Sequence, residues 1–145
     1  MMLTRLIIAG ATIVALGAPS VQAGPVHHHL PFFWLCGLFT PQKQCAIQLD
    51  LGDDNTARTD QTLTKRGLQY AFTVQHGNNN NAYTGQTGSN EIAMTFQNGN
   101  NNTAFTSQAG HNQISVTSQS GSQGGMWAAT SSAGTDTVTT VVQSN

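Results

Sequence analysis

Gln75-His76-Gly77-Asn78-Asn79-Asn80-Asn81-Ala82-Tyr83-Thr84-Gly85-Gln86 is answered 22 residues later by Gln97-Asn98-Gly99-Asn100-Asn101-Asn102-Thr103-Ala104-Phe105-Thr106-Ser107-Gln108. A finer step runs through both blocks. Gln75, Gln86, Gln97, Gln108 and Gln119 stand eleven apart, and Gly77, Gly88, Gly99, Gly110 and Gly121 keep that step two positions later. Thr73, Thr84, Thr95, Thr106 and Thr117 precede the glutamines, and Asn79, Asn90, Asn101 and Asn112 follow the glycines. Alternate units differ: Asn80 and Ala82 recur as Asn102 and Ala104, while Glu91 and Ala93 occupy the unit between. The true period is therefore 22 residues. A repeat of this length signifies one supersecondary unit stacked on copies of itself.

Between the Gly/Asn clusters lie alternating runs such as Tyr70-Ala71-Phe72-Thr73-Val74 and Ile92-Ala93-Met94-Thr95-Phe96. Period-two alternation with β-branched and aromatic residues predicts strands. Gly and Asn tolerate the left-handed backbone that a sharp reversal needs. Each period then reads strand, arc, strand, arc. The expected fold is all-β, a β-solenoid of 22-residue coils in cross-β stacking.

Outward from the repeat, the chain changes character. Residues 46–66 hold Asp50, Asp53, Asp54, Arg58, Asp60, Lys65 and Arg66, whereas from Gly67 to Thr135 the only charged residue is Glu91. Gly52, Asn55, Ala57 and Gln61 keep the spacing of Gly77, Asn80, Ala82 and Gln86, with Asp50 standing where Gln75 would be. This makes 46–66 a charged, degenerate first repeat before a core of 67–122. Residues 123–145 read as an irregular cap or last strand, with Thr137 to Gln143 resembling half a unit.

The N-terminus has a short positive start, an apolar run from Leu6 to Leu16, and Val21-Gln22-Ala23 before a cleavage point. That pattern predicts a removed secretory signal over 1–23 and a secreted product. A leader of 24–45 follows, with His27-His28-His29, the cluster Phe32-Phe33-Trp34-Leu35, and Cys36 and Cys45. In an oxidising compartment the two cysteines can close a small loop; otherwise they are free thiols. The histidines have no nearby Asp or Glu to complete a metal site.

Charged residues make up 8% of the 145-residue chain, with formal net charge −1, so no basic field is present to hold nucleic acid. Ser, His and Asp occur without a nucleophile elbow, metal spacing or paired carboxylates. No enzyme activity, cofactor or small-molecule substrate is expected. His76 and His111 read as solvated arc residues.

The spacings Gln75-x-Gly77-x2-Asn80-x-Ala82-x3-Gln86 and Gln97-x-Gly99-x2-Asn102-x-Ala104-x3-Gln108 resemble the curlin repeat. The resemblance covers roughly 50–122, with full motifs in 69–112. It implies a structural subunit of a secreted, curli-like amyloid fibre used in cell-surface adhesion and biofilm matrix. The chain would then polymerise with itself, alongside another curli-type subunit or nucleator. A leader in that family directs export through an outer-membrane secretion channel. The residues expected to form the assembly ladder are Gln75, Gly77, Asn80, Ala82, Gln86, Gly88, Asn90, Gln97, Gly99, Asn102, Ala104, Gln108, Gly110, Asn112 and Gln119.

The sequence leaves open which strand face is buried. One face carries Gln, Thr and Ala; the other carries Tyr70, Phe72, Val74, Ile92, Met94, Phe96, Ile114 and Val116, with Tyr83 and Phe105 in the second strand. The resemblance favours the polar face inside, and burial at about 25 cal/mol per Å² favours the apolar one. A rival function rests on the same question: an ice-binding or adhesin solenoid would display the Thr-x-Gln ladder to its surroundings.

Overall fold

The computed structural model describes residues 6–8, 11–16, 20–22, 44–64, 67–121 and 125–145. Its strands are β1 (Leu6–Ile8), β2 (Ala11–Leu16), β3 (Ser20–Gln22), β4 (Gln44–Leu51), β5 (Thr56–Leu63), β6 (Gln69–His76), β7 (Asn81–Gly99), β8 (Thr103–Gly121) and β9 (Trp127–Ser144). Among β4 to β9 every pairing is parallel. This is a β-solenoid of stacked strand-arc-strand coils.

The coil has two walls. The first stacks β4, β6 and the C-terminal halves of β7, β8 and β9, through Ala46, Ala71, Ala93, Ser115 and Thr139. The second stacks β5 and the N-terminal halves of β7, β8 and β9, through Ala57, Ala82, Ala104 and Ala128. Register follows the sequence columns: Gln75 lies on Gln97 and then Gln119, and Gln86 lies on Gln108. A two-sided strand held in this way cannot slip by one residue without turning its whole inner face outward.

Six corners are Gly-x-Asn or Gly-x-Asp arcs with positive φ at both ends. Gly77 (φ 118°) pairs with Asn79 (55°), Gly88 (151°) with Asn90 (57°), and Gly99 (120°) with Asn101 (58°). Gly110 (141°) with Asn112 (55°), Gly52 (117°) with Asp54 (54°), and Gly134 (114°) with Asp136 (55°) repeat it. Asn and Asp are the side-chain-bearing residues that tolerate this region best. Glycine is required for a second reason. A Cβ on Gly77 would overlap the carbonyl oxygen of Gly99, and one on Gly99 that of Gly121.

The structure settles which face is buried. Gln75, Gln86, Gln97, Gln108, Thr73, Thr84, Thr95 and Thr106 are all buried, and alanines and Cys45 are the whole of the buried hydrophobic set among the described residues. Tyr70, Ile92, Phe96, Phe105 and Ile114 are exposed. The short arcs explain why the polar face wins: they hold the walls too close for facing rings, but leave room for alanine and flat amides.

Two ends differ from the sequence expectation. Rung-to-rung steps are 25, 22, 22 and 24 residues, so only the central coils keep the 22-residue period. β4 starts at Gln44, whose amide bonds Gln69 at 2.7 Å, so the first coil takes in Cys45 from the expected leader. At the other end β9 pairs with β8 along its whole length rather than as half a unit. Ser132 and Thr137 stand there in register with Gln108 and Gln113, which hid the repeat. The segment expected to be a signal contributes β2, antiparallel on β4, and β3, antiparallel on β5.

Gly99→Ala should cost about 2–4 kcal/mol in urea unfolding, because it combines a left-handed φ with a main-chain clash. Gly85→Ala, which meets only the Tyr83 ring, should change stability by about 0.5 kcal/mol or less.

Candidate assembly site: polar ladders and open edges

A glutamine amide inside the coil has two N–H groups and one carbonyl to satisfy. Gln75 Nε2 donates to Gln97 Oε1 at 2.7 Å, Gln97 to Gln119 at 2.9 Å, and Gln119 to Gln143 at 3.0 Å. The second wall repeats the device, Gln61 to Gln86 at 2.7 Å and Gln86 to Gln108 at 2.9 Å. The other N–H crosses the coil to a main-chain carbonyl: Gln97 to Asn81 and Gln119 to Thr103, both at 3.1 Å. Gln86 reaches Tyr70 and Gln108 reaches Ile92 in the same way, again at 3.1 Å. Each of these Gln–Gln bonds points from the earlier coil to the later one.

Asparagines hold the corners. The Asn80 side chain donates to Gly99 O at 2.8 Å and accepts the Asn102 N–H at 3.1 Å. Asn90 donates to Asn112 at 3.0 Å, and Asn112 to Asp136 at 2.8 Å. Thr106, Thr117 and Thr130 link the walls through their hydroxyls at 3.2 and 2.9 Å. The residues Gln75, Asn80, Ala82, Gln86, Gln97, Asn102, Ala104, Gln108 and Gln119 thus share the interior, while Gly77, Gly88, Asn90, Gly99, Gly110 and Asn112 form the arcs. Cys45 is buried and is not a free thiol. Cys36 and His27–His29 lie outside the described residues.

Burial of the threonines removes the basis for an ice-binding face. Thr73, Thr84, Thr95, Thr106 and Thr117 are each no more than 1% exposed, so the Thr-x-Gln array meets no surroundings.

Two carboxyls interrupt the amide ladders, and sequence reasoning passed over the role of both. Asp50 lies in register below Gln75, and Glu91 below Gln113. A carboxylate only accepts, so it cannot supply the upward donor that glutamine supplies. Gln75 Oε1 and Gln113 Oε1 are accordingly buried without a hydrogen-bond partner. Burial pushes the Asp50 carboxyl up to about 7. Glu91 is also raised by burial, against the opposing pull of Gln69, Gly110 and His111. In the neutral form each acid gains an O–H and becomes a ladder donor.

Elsewhere, the nearest approach to a hydrolytic pair is Ser89 Oγ against His111 Nδ1. Ser89 is buried, and the two residues are in register one coil apart, so this is another rung contact. Among the described residues no group of three or more His, Cys, Asp or Glu converges as a metal site. The first wall's outer surface is an apolar stripe: Tyr70, Phe72, Val74, Ile92, Met94, Phe96, Ile114 and Val116. On the second wall Tyr83 stacks on Phe105 at 5.0 Å. The outer edge of β9 pairs with no strand among the described residues.

Gln97→Leu leaves Gln75 without its acceptor and Gln119 without its donor, and should cost about 2–4 kcal/mol in urea unfolding. The pH dependence follows from the carboxyls. Asp50 titrates near 3.8 when unfolded and near 7 when folded, so folding takes up a proton between those values. The Asp50 contribution is full below the lower value, falls as pH rises between the two, and is lost above the higher. The urea midpoint should be higher at pH 5 than at pH 8, and Asp50→Asn with Glu91→Gln should remove that difference.

No protein-family model matches this chain, and neither a curated protein nor a solved structure is significantly similar to it.

Proposed function

We propose that this chain is a structural subunit of a secreted, self-assembling, curli-like amyloid fibre, serving cell-surface adhesion and biofilm matrix. The observation that carries the reading is the open end of the ladder. Gln143 directs one N–H to Trp127 O at 3.0 Å and accepts from Gln119, which leaves its second N–H for a further rung. Beside it the main chain of β9 presents N–H and C=O groups along an outer edge that pairs with no described strand. Soluble sheet proteins blunt such edges with charge, proline or bulges. Here the rung carries only Asp136, and no proline, from 127 to 144.

An incoming copy pairs along this edge and folds as it adds, giving a head-to-tail contact that does not close. Residues 1–23 act as a secretory signal, and 24–45 as a leader that engages an outer-membrane channel. The charged arc Asp53-Asp54 and the pair Arg58–Asp60, at 2.8 Å, sit in the first coil and mark the junction between subunits. The apolar stripe of the first wall exceeds what a monomer ordinarily exposes, and it suits lateral packing of filaments.

Secreted chain held at high concentration should form Thioflavin-positive fibres with a meridional spacing of about 4.8 Å. Preformed seeds should abolish the lag. Chain that stays monomeric for days, seeded or not, contradicts the proposal.

A further inference from the structure

We propose that successive copies join through a half-turn about the fibre axis, so that the first wall of one copy stacks on the second wall of the next. This rests on the fibre reading above. It also needs the edge of the first coil to be free, which follows when residues 1–23, carrying β2 and β3, are removed.

Rung parity points to the half-turn first. The first wall holds five rungs and the second holds four. Unrotated stacking would set Gln44–Leu51 on Thr137–Ser144 and leave Thr56–Leu63 two rungs, about 9.6 Å, above Trp127–Gly134, with one empty rung between them. Two strands would then face a slot with their hydrogen-bonding groups unmet. A half-turn sets Gln44–Leu51 on residues 126–133 and Thr56–Leu63 on residues 138–145, and no slot remains. The walls run in opposite directions, and the rotation reverses strand direction, so both new pairings stay parallel. The next copy continues the spiral as though the chain had not ended.

The eleven-residue pseudo-repeat is what makes the walls interchangeable. Ala71-x-Thr73-x-Gln75-x-Gly77 and Ala82-x-Thr84-x-Gln86-x-Gly88 present the same inner columns. Aligned on those columns, Ala46, Gln48 and Asp50 sit on Ala128, Thr130 and Ser132 of the copy below. Ala57, Thr59 and Gln61 sit on Thr139, Val141 and Gln143.

The unsatisfied groups favour this match independently. Gln48 Oε1, Asp50 Oδ1 and Ser132 Oγ are buried without hydrogen-bond partners in the single chain. The half-turn places the hydroxyls of Thr130 and Ser132 under the Gln48 and Asp50 acceptors. It also sets the spare Gln143 amide under Gln61, extending a Gln–Gln ladder. Without rotation, Gln48 would lie on Val141, which has nothing to donate.

The test uses paired cysteines on outward positions, in fibres grown from the secreted chain under mild oxidant. Leu49→Cys with Ser131→Cys should give intermolecular disulfide-linked polymers on a non-reducing gel, with the 49–131 link identified by mass spectrometry. Leu49→Cys with Val142→Cys should give few. Within one copy both pairs lie at opposite ends of the stack, so neither can close internally. Linkage of 49 to 142 and not to 131, or of neither pair in fibres that do form, would overturn the half-turn. Helical reconstruction of unsubstituted fibres is the second measurement: a rise of about 22 Å with rotation near 180° is expected, and about 24 Å with little rotation would overturn the join. Failure to form fibres at all would overturn the fibre reading, and this inference with it.

Discussion

A buried primary amide is tolerable only when both its hydrogens and its carbonyl find partners, and this coil meets that condition by repetition. Gln97, set between Gln75 and Gln119, accepts from the first and donates to the second along one axis. The remaining hydrogens go to main-chain carbonyls across the coil, which ties the walls together. Each such bond contributes about 1 kcal/mol net, whereas an orphaned amide costs about 1–3 kcal/mol. The interior therefore selects strongly for register and weakly for bulk. Hydrophobic burial, which drives the folding of most proteins, is confined inside this coil, among the described residues, to two columns of alanines.

Two consequences follow from a core of this kind. The large apolar residues are displaced outward into a stripe, where they are available to other filaments. Ladder order also has a direction, from earlier coil to later, so the two ends of the stack are chemically different. The last coil carries the unpartnered Ser132 hydroxyl and the spare N–H of Gln143, and the first presents acceptors at Gln48 and Asp50. An end that donates and an end that accepts are complementary, which suits polar, head-to-tail growth.

The central coils were legible in the sequence because the same columns fix inner residue, arc and register at once. Gly77 with Asn79 and Gly99 with Asn101 announced the left-handed corners before any backbone was seen. The inner face was not legible, since alternation gives two faces and only the tightness of the arcs chooses between them. The ends were read less well for a different reason. Steps of 25 and 24 residues break the period, and Ser132 and Thr137 replace the marker glutamines while keeping their places. Asp50 was seen as a mismatch to Gln75, but its part in the ladder depends on burial, which a sequence does not display.

Everything above depends on the glutamine ladders, and not the aromatic face, forming the interior. Side-chain amide hydrogen exchange followed by NMR tests this most directly. The amide hydrogens of Gln75, Gln86, Gln97 and Gln108 should exchange as slowly as the strand backbone, while Phe96 and Ile92 remain open to a surface probe. Fast exchange at those four amides, with Phe96 and Ile92 shielded, would contradict a polar core.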